Sequence, residues 1–283
     1  MSPAIVQSVS EIRKRLDQIR HGGKRIGLVP TMGALHAGHA SLMERARAEC
    51  DFIVVSIFVN PLQFGPSEDY QRYPRPLEKD AAICAENGVD LIFAPETNDM
   101  YASPQITFVE VTHITDHLCG SFRPGHFRGV ATVVLKLFNI VQPDCAYFGE
   151  KDYQQLCVIR RMVDDFNLRM AIVPVPTFRE SDGLALSSRN VYLSPAERAA
   201  APALYRALTL ARERIASGET DAATIKSAAM RVFAAELLLR VQYFEIVDPD
   251  EVQPVPTVAG PVRIAAAVFI GKTRLIDNVA AGN

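Results

Sequence analysis

The segment from Arg25 to Cys50 constrains the fold more than any other part of the chain, because it predicts a strand, a tight turn and a helix in direct succession. A short apolar run closed by Pro30 is typical of a buried strand, and helical spacing begins near His39. Between them lies the turn TMGALHAGH, whose glycines allow a sharp bend and a close approach to a ligand. A helix start also presents unpaired N–H groups and a positive dipole end. The segment therefore predicts an anion site.

Two histidines in this turn, His36 and His39, are expected on the same side of the incoming helix. Imidazoles at such a position can donate protons or hydrogen bonds to phosphate. A glycine-containing turn alone is weak evidence for a nucleotide, and the two histidines could instead bind a metal. The metal interpretation is poorer, because zinc proteases space their histidines by four residues around a glutamate, and this turn contains no Glu, Asp or Cys.

Predicted strands and helices alternate through the rest of the first 175 residues. The apolar, β-branched run at 51–60 is typical of a strand buried on both faces of a parallel sheet. The alternation predicts an α/β fold with a Rossmann-like parallel sheet. Besides the first strand–helix unit, the pattern predicts strands at 51–60, 90–95, 106–112, 145–148 and 170–176, and helices from Ser8, at 77–86, 130–141 and 153–166.

The chain changes character after the proline-rich VPVPT near Val175. A capping box at Ser194 and Glu197 opens a long helix that Pro202 is expected to bend, and a second helix is predicted at about 221–238. Two or three apolar strands then follow without intervening helices, in VQYFEIV, VRIAAAVFI and TRLIDNV. We therefore predict a Rossmann-like domain of residues 1–175 and a smaller α+β domain of residues 176–283.

The composition gives no reason to expect nucleic acid or a membrane surface as a partner, because the formal net charge is only −2. No apolar run reaches the length of a membrane span, and the N-terminus lacks the apolar core of a signal peptide. The five cysteines are widely spaced without a CxxC pair, which predicts buried free thiols in a reducing cytoplasm.

Polar loops follow several predicted strands at their carboxyl ends, where open α/β sheets bind ligands. The loop after the strand at 51–60 contains Asn60, Gln63 and Tyr73, although turn chemistry alone could explain Asn60. The turn after 145–148 contains Lys151, which either faces a phosphate or pairs with a neighbouring carboxylate. For the loop around 123–128, a surface location is the default interpretation.

The tripeptide Ser187, Ser188 and Arg189 offers two hydroxyl groups and a fork of N–H donors, a group suited to phosphate oxygens. Ser-Ser-Arg alone is a common sequence, so it indicates a phosphate site only if another phosphate-binding segment requires it.

Six segments taken together resemble one family. PTMGALHAGH, SIFVNPLQFG, YPR, FRPGHFRGVATVV, FGEKDYQQL and DGLALSSRN occur in the order and spacing of the pantothenate synthetases, also called pantoate–β-alanine ligases, of the nucleotidylyltransferase superfamily with HIGH-type and SSR motifs. The resemblance covers essentially the whole chain. It implies ATP-dependent condensation of (R)-pantoate with β-alanine through a pantoyl-adenylate, releasing AMP and pyrophosphate, in a homodimer with Mg²⁺ accompanying ATP.

The resemblance also implies roles for residues. His39 would be the proton donor, with His36, Lys151 and Arg189 as further catalytic residues. The ATP site would comprise Met32, Gly33, Ala34, Leu35, His36, Ala37, Gly38, His39, Gly149, Glu150, Lys151, Asp152, Phe178, Leu186, Ser187, Ser188 and Arg189. The smaller domain would act as a lid that carries the SSR loop.

For pantoate the resemblance implies Gln63 and Gln155, with Asn60 and Tyr73 in support and Gln63 close enough to help place β-alanine. Small departures from the family pattern occur at Ala37, Leu62 and Leu186, and none removes a reacting group. No carboxylate cluster resembles a metal cage, so no metal-binding residue is predicted and the triphosphate is expected to hold Mg²⁺.

Other interpretations stay open at this point. One is a different adenylyl- or cytidylyltransferase, against which the Gln63 and Gln155 segments argue. A tRNA synthetase is less favoured, because the second domain is small and not basic. A nucleotide-sensing module without chemistry would not need the two histidines, Lys151 and Arg189 together.

Overall fold

The structure, a computed structural model, describes residues 2–66, 68–101 and 105–282. Contacts divide the chain into two units. Unit 1 comprises Met1–Val111, Arg123–Gly149 and Val158–Pro176, and unit 2 comprises Thr112–Phe122, Glu150–Cys157 and Thr177–Asn283. The last passage into unit 2 lies next to the expected boundary at Val175, and two earlier segments also group with unit 2.

The described residues form nine strands and ten α-helices. The strands are β1 (Ala4–Val6), β2 (Ile26–Thr31), β3 (Phe52–Ile57), β4 (Leu91–Phe93), β5 (Cys145–Gly149), β6 (Ala171–Val175), β7 (Leu239–Val247), β8 (Val262–Ile270) and β9 (Thr273–Ala281). The helices are α1 (Val9–His21), α2 (Ala37–Glu49), α3 (Leu77–Glu86), α4 (Thr97–Met100), α5 (Cys119–Phe122), α6 (His126–Val141), α7 (Tyr153–Asp165), α8 (Pro195–Ala200), α9 (Ala203–Ala216) and α10 (Ala222–Ala234).

Unit 1 contains a six-stranded parallel sheet in the order β1-β4-β3-β2-β5-β6. Strands β2, β3 and β5 are fully buried over most of their length, as expected of a parallel sheet covered on both faces. The predicted α/β fold is therefore confirmed. The order reverses between β2 and β5, so the turns that follow these two strands lie at the topological switch point, where sheets of this kind bind ligands.

Unit 2 contains an antiparallel sheet in the order β7-β8-β9. Helices α9 and α10 bury Leu204, Leu208 and Ile225 in one core with Phe244 and Ile264 of the sheet. This confirms the predicted α+β character. The helix expected to bend at Pro202 is instead two helices, because Pro202 precedes α9 as its N-cap residue.

One strand prediction is wrong. Residues 106–112, predicted as a strand, form no strand among the described residues, and the N–H of Val109 donates to Thr132 Oγ1 of α6 at 3.0 Å rather than to a neighbouring strand. Phe108 lies beside the Arg128 guanidinium on the same helix. Helix α6 begins at His126, four residues before the expected start at Val130.

Two smaller differences concern unit 1. Strand β2 continues through Pro30 to Thr31, which is possible because its last partner on β5 is opposite Leu28. The edge strand β1 was not predicted. Within residues 2–66, 68–101 and 105–282, no helix has the length and apolar character needed to cross a bilayer. All five cysteines are buried thiols, as predicted.

Candidate active site

The turn between β2 and α2 has two consecutive residues in the left-handed region, Gly33 at φ 79° and Ala34 at φ 51°. Thr31 stabilises its start, since its Oγ1 accepts from the Gly33 N–H at 3.1 Å and donates to Ser56 O at 2.8 Å. Left-handed backbone is costly for a residue with a Cβ, so Ala34 needs support from elsewhere.

That support comes from Asp80 on α3. Its carboxylate accepts the N–H groups of Ala34 at 2.9 Å and Leu35 at 2.8 Å, one on each oxygen, and its exposed fraction is 1%. A Cβ on Gly33 would lie 2.8 Å from Asp80 Oδ2, so only glycine fits there. Burial raises the pKa of Asp80, and the two N–H donors act against that rise. Asp80 was not among the site residues predicted from the sequence.

The two histidines form a capping box at the start of α2, with His36 as the N-cap residue. Nδ1 of His36 accepts from the Gly38 N–H at 3.2 Å, and Nδ1 of His39 accepts from the His36 N–H at 3.3 Å. In the neutral imidazole this places the ring proton on Nε2 of both residues. The ring centroids are 4.1 Å apart. The turn thus orients two N–H donors beside the helix start, where an anion is favoured.

Asn60 and Gln63, which follow β3, are buried and bonded to each other. Asn60 Nδ2 donates to Gln63 Oε1 at 3.1 Å and to Gly129 O at 3.1 Å, and Asn60 Oδ1 accepts from Tyr101 OH at 2.7 Å. Gln63 Nε2 lies 2.9 Å from Met32 Sδ, which joins this loop to the turn after β2. The structure therefore brings Asn60, Gln63 and Met32 together within unit 1.

The main chain of Gln63 is held by the start of α6. Its carbonyl accepts from His126 Nδ1 at 2.8 Å and from Arg123 Nη2 at 3.2 Å, and His126 Nε2 accepts from Arg123 Nη1 at 2.9 Å. Glu68 pairs with Arg123 through two bonds of 2.7 and 2.6 Å. The segment lies at the surface as expected, with Arg128 exposed, but Arg123 and His126 are half-buried by these bonds and His126 already belongs to α6.

Unit 2 contains the second group of predicted site residues. Glu150, Lys151 and Asp152 form a single 3₁₀ turn before α7, with Lys151 Nζ at 3.7 Å from Asp152 Oδ1. Two adjacent glutamines on α7 differ in environment. Gln154 is buried and bonds to the main chain of Ile114, His117 and Cys119, whereas Gln155 is half-buried.

The segment that carries Ser187, Ser188 and Arg189 follows a short hairpin. Leu186 N–H donates to Phe178 O at 3.0 Å, and Phe178 has an exposed fraction of 46%. Ser187 Oγ accepts from the Arg189 N–H at 3.2 Å, so Ser187 caps the 3₁₀ helix Ser188–Tyr192. Because of this cap, Ser187, Ser188 and Arg189 lie together at the start of the 3₁₀ helix.

A cavity of about 450 Å³ opens in unit 1 beside the β2–α2 turn. Met32 and Asp80 belong to its wall, and Ile57, Phe58 and Ala94, at the carboxyl ends of β3 and β4, supply part of an apolar lining. Polar groups of Tyr70, Arg75 and Glu96 also line it.

Comparison with known proteins decides the family. A model of the family described as pantoate–β-alanine ligase matches residues 4–280. The chain belongs to the pantoate–β-alanine ligase family. A pantothenate synthetase of Heliobacterium modesticaldum is 55% identical over 275 residues, covering 97% of this chain and 98% of that protein.

Two crystal structures show the ligase fold. Pantothenate synthetase from Thermus thermophilus matches with a TM-score of 0.93 at 50% identity, covering 98% of each chain. The pantoate–β-alanine ligase from Francisella tularensis, complexed with βγ-ATP and β-alanine, matches with a TM-score of 0.81 at 36% identity, covering 98% of this chain and 97% of that one. These comparisons confirm the predicted family, the fold and the ligase class.

The predicted site residues of this ligase fall into two sets. Unit 1 holds residues 32–39, Asn60, Gln63, Tyr73 and Gly149. Unit 2 holds residues 150–152, Gln155, Phe178 and 186–189. Their individual roles stay predictions.

Proposed function

We propose that this chain condenses (R)-pantoate with β-alanine at the expense of ATP, through a pantoyl-adenylate, and releases AMP and pyrophosphate. Membership of the pantoate–β-alanine ligase family across residues 4–280 is the observation that carries the proposal. The complex of the Francisella relative with an ATP compound and β-alanine supports ATP as a substrate.

ATP is assigned to residues 32–39 and 149–152, with Phe178, Leu186, Ser187, Ser188 and Arg189. His36 and His39 support this assignment, because their Nδ1 atoms accept backbone N–H groups and leave Nε2 as the proton-bearing nitrogen. Charge develops on pyrophosphate as it leaves the α-phosphorus, so oriented N–H donors, Lys151 and Arg189 lower the barrier. Unit 2 serves as a lid whose SSR turn completes the nucleotide site.

Pantoate is assigned to Gln63 and Gln155, with Asn60 and Tyr73 in support. Its carboxylate must attack phosphorus, and neutral amides can orient a carboxylate while leaving it more nucleophilic than a tight arginine pair would. Buried Asn60 fixes Gln63 through Oε1, which supports an orienting role for the Gln63 amide. Gln63 is also assigned to β-alanine.

Mg²⁺ enters as part of the ATP substrate. Its ligands are assigned to the triphosphate and water, which is how Mg²⁺ is commonly held in nucleotide sites. The five buried thiols support a cytoplasmic location, where the reducing environment preserves them.

The deciding experiment measures exchange of labelled pyrophosphate into ATP. Exchange should require pantoate and proceed without β-alanine, and addition of the amine should yield AMP and pantothenate. His39→Ala is the matched variant, because loss of one preorganised donor typically lowers kcat about 100- to 1000-fold. ADP as the product would point to attack at the γ-phosphorus and would contradict the proposal. Bound but intact ATP in the presence of pantoate would favour a nucleotide-sensing module.

We also propose a homodimer. Segment 105–111 supports it, because it has the apolar, β-branched composition of a strand, pairs with no strand among the residues that the structure describes, and leaves Ile106 82% and Phe108 39% exposed. A second copy is a natural partner for such a segment, since symmetric dimers pair the same patch on both subunits.

A further inference from the structure

Two adjacent residues of β9, Asp277 and Asn278, are buried polar groups without a part in the proposed reaction. Their exposed fractions are 3% and 4%. Burial of a carboxylate or an amide is costly unless its hydrogen bonds are made. Asn278 bonds to the turn that contains Lys151, and Asp277 bonds to Arg179, which follows Phe178 in the hairpin before Ser187.

Asn278 holds the main chain of the turn that carries Lys151. Its Nδ2 donates to Glu150 O and Lys151 O, each at 2.9 Å, and its Oδ1 accepts from Arg263 Nη1 at 3.1 Å. Main-chain carbonyls only accept and a guanidinium only donates, so this amide has a single favourable orientation. One side chain thus fixes two consecutive peptide units of the Lys151 turn.

Arg263 fixes the residue that follows the same turn. Its guanidinium lies 3.8 Å from the centroid of the Tyr153 ring and 3.5 Å from Glu150 Oε2. Tyr153 OH donates in turn to Pro249 O at 2.8 Å. Hydrogen bonds and ring contacts therefore hold the residues on both sides of Lys151, and they fix the position of its Cα atom.

Asp277 holds the hairpin that leads to Ser187–Arg189. Its two oxygens accept from Arg179 Nη1 at 2.6 Å and Nη2 at 2.9 Å, and Arg179 also donates to Gly183 O at 3.1 Å. Arg179 forms an antiparallel bridge with Ala185, two residues before Ser187. A bidentate pair of this kind sets orientation as well as distance.

We infer that Asp277 and Asn278 are positioning residues that hold, from one strand, the Lys151 turn and the hairpin before Ser187–Arg189 in the geometry that meets the phosphates. The inference rests on the proposed function for the identity of the ligand. The contacts that carry it do not depend on that function.

Asn278→Ala and Asn278→Asp test the first anchor. Alanine removes both donors, while aspartate keeps the size and the Arg263 partner but presents oxygen to the two carbonyls. Displacement of a catalytic group by about 1 Å typically lowers kcat about 100-fold, and we expect a loss of this size in pyrophosphate exchange with KM for pantoate nearly unchanged. Val268→Ala, a fully buried change in β8, is the control for destabilisation of the same sheet. Equal kcat losses in the Asn278 and Val268 variants at matched Tm would overturn the inference.

A double-mutant cycle with Lys151→Ala tests the route of the effect. If Asn278 acts through Lys151, Asn278→Ala should add less than about threefold in the Lys151→Ala background, whereas independent effects would multiply. If the kcat losses of the two single variants multiply in the double variant, Asn278 does not act through Lys151.

Cleavage by endoproteinase Lys-C, which cuts after lysine, gives a readout that does not need activity. Asn278→Ala should be cut after Lys151 faster than both the wild type and Val268→Ala, and equal rates would contradict the inference.

Arg179→Lys tests the second anchor, because it keeps the charge beside Asp277 but loses the bidentate pair. Trypsin should cut this variant after Arg189 faster than the wild type, and its kcat should be lower. If Arg179→Lys has the cleavage rate and kcat of the wild type, Asp277 is not a positioning residue. A wild type without pyrophosphate exchange would instead refute the proposed function and leave the cleavage tests valid.

Discussion

Asp80 is the residue on which the geometry of the turn between β2 and α2 depends most directly. It is separated from Ala34 and Leu35 by about 45 residues, yet it satisfies both of their N–H groups. An acidic residue in the first turn of a helix is ordinarily explained by the helix dipole, so nothing local in the sequence marks it as a ligand of another segment. The turn itself was predictable because its glycines and helix start are local features, whereas the distant carboxylate that accepts its N–H groups was not.

We predict that Asp80→Asn lowers both stability and turnover. The amide keeps the shape of the side chain but has only one acceptor atom, so one N–H loses its partner and faces an N–H₂ group. An unsatisfied buried donor typically costs about 1–3 kcal/mol, and a shifted turn should reduce kcat for pyrophosphate exchange about 10- to 100-fold. Thermal unfolding and exchange kinetics measure the two effects.

Lys79→Ala is the matched control for this prediction, because Lys79 is exposed on the same helix. That variant should behave like the wild type in both measurements. Normal turnover of a folded Asp80→Asn variant would show that the turn does not need the carboxylate.

At the scale of elements, the start of α6 and the loop after β3 form one structure around the Gln63 carbonyl. His126 and Arg123 donate to it, and Glu68 fixes Arg123. The sequence predicted the apolar part of α6 from Val130 but not its first turn, because Arg123 to Arg128 is polar and contains Pro and Gly. The helix begins directly after Gly125, whose left-handed backbone (φ 78°) marks the start, and its first turn lies before the apolar periodicity.

The ion pair between Glu68 and Arg123 predicts a dependence of stability on pH. Burial tends to raise the pKa of Glu68, but the bonds and charge of Arg123 outweigh it and hold the pKa below the ordinary 4.5. A carboxyl whose folded pKa is lowered stabilises the protein above its unfolded pKa, and that contribution is lost as the pH falls through the folded pKa. The difference in unfolding free energy between wild type and Glu68→Gln should therefore be constant near neutral pH and shrink below pH 4.5.

Urea unfolding at a series of pH values measures this difference. Glu11→Gln is the control, because Glu11 belongs to an exposed ion pair with Arg15 on α1 and such pairs contribute little. A difference for Glu68→Gln that does not change between neutral and acid pH would show that the pair does not stabilise the fold.

At the start of α6 the sequence missed a helical turn, whereas at 106–112 it predicted a strand that the described structure does not contain. The alternating apolar and β-branched residues of this segment have the composition of a strand, and composition alone cannot say whether a neighbouring strand exists in the same chain. In unit 1 the Val109 N–H donates to a helix side chain instead. The strand propensity of this segment therefore does not determine its structure within unit 1.

At the scale of the whole molecule, the order of elements was largely predictable, and the grouping of segments into units was not. Alternating strands and helices followed by helices and antiparallel strands indicated both fold classes before the structure. Residues 112–122 and 150–157 group with unit 2 through contacts such as those of Gln154 with Ile114 and His117. Such contacts join segments far apart in the sequence, where periodicity carries no information.

The last prediction concerns assembly. If segment 105–111 pairs with its copy, the protein should sediment at about 62 kDa, twice the chain mass of 31.1 kDa, and Ile106→Asp should shift it toward the monomer. A charge at this position would be buried in the interface without a partner, which is strongly unfavourable. Leu237→Asp is the control, because Leu237 is 98% exposed on unit 2 and lies outside the segment. A wild type that stays monomeric at micromolar concentration would contradict the dimer. Dissociation by Leu237→Asp alone would show that the interface lies outside segment 105–111.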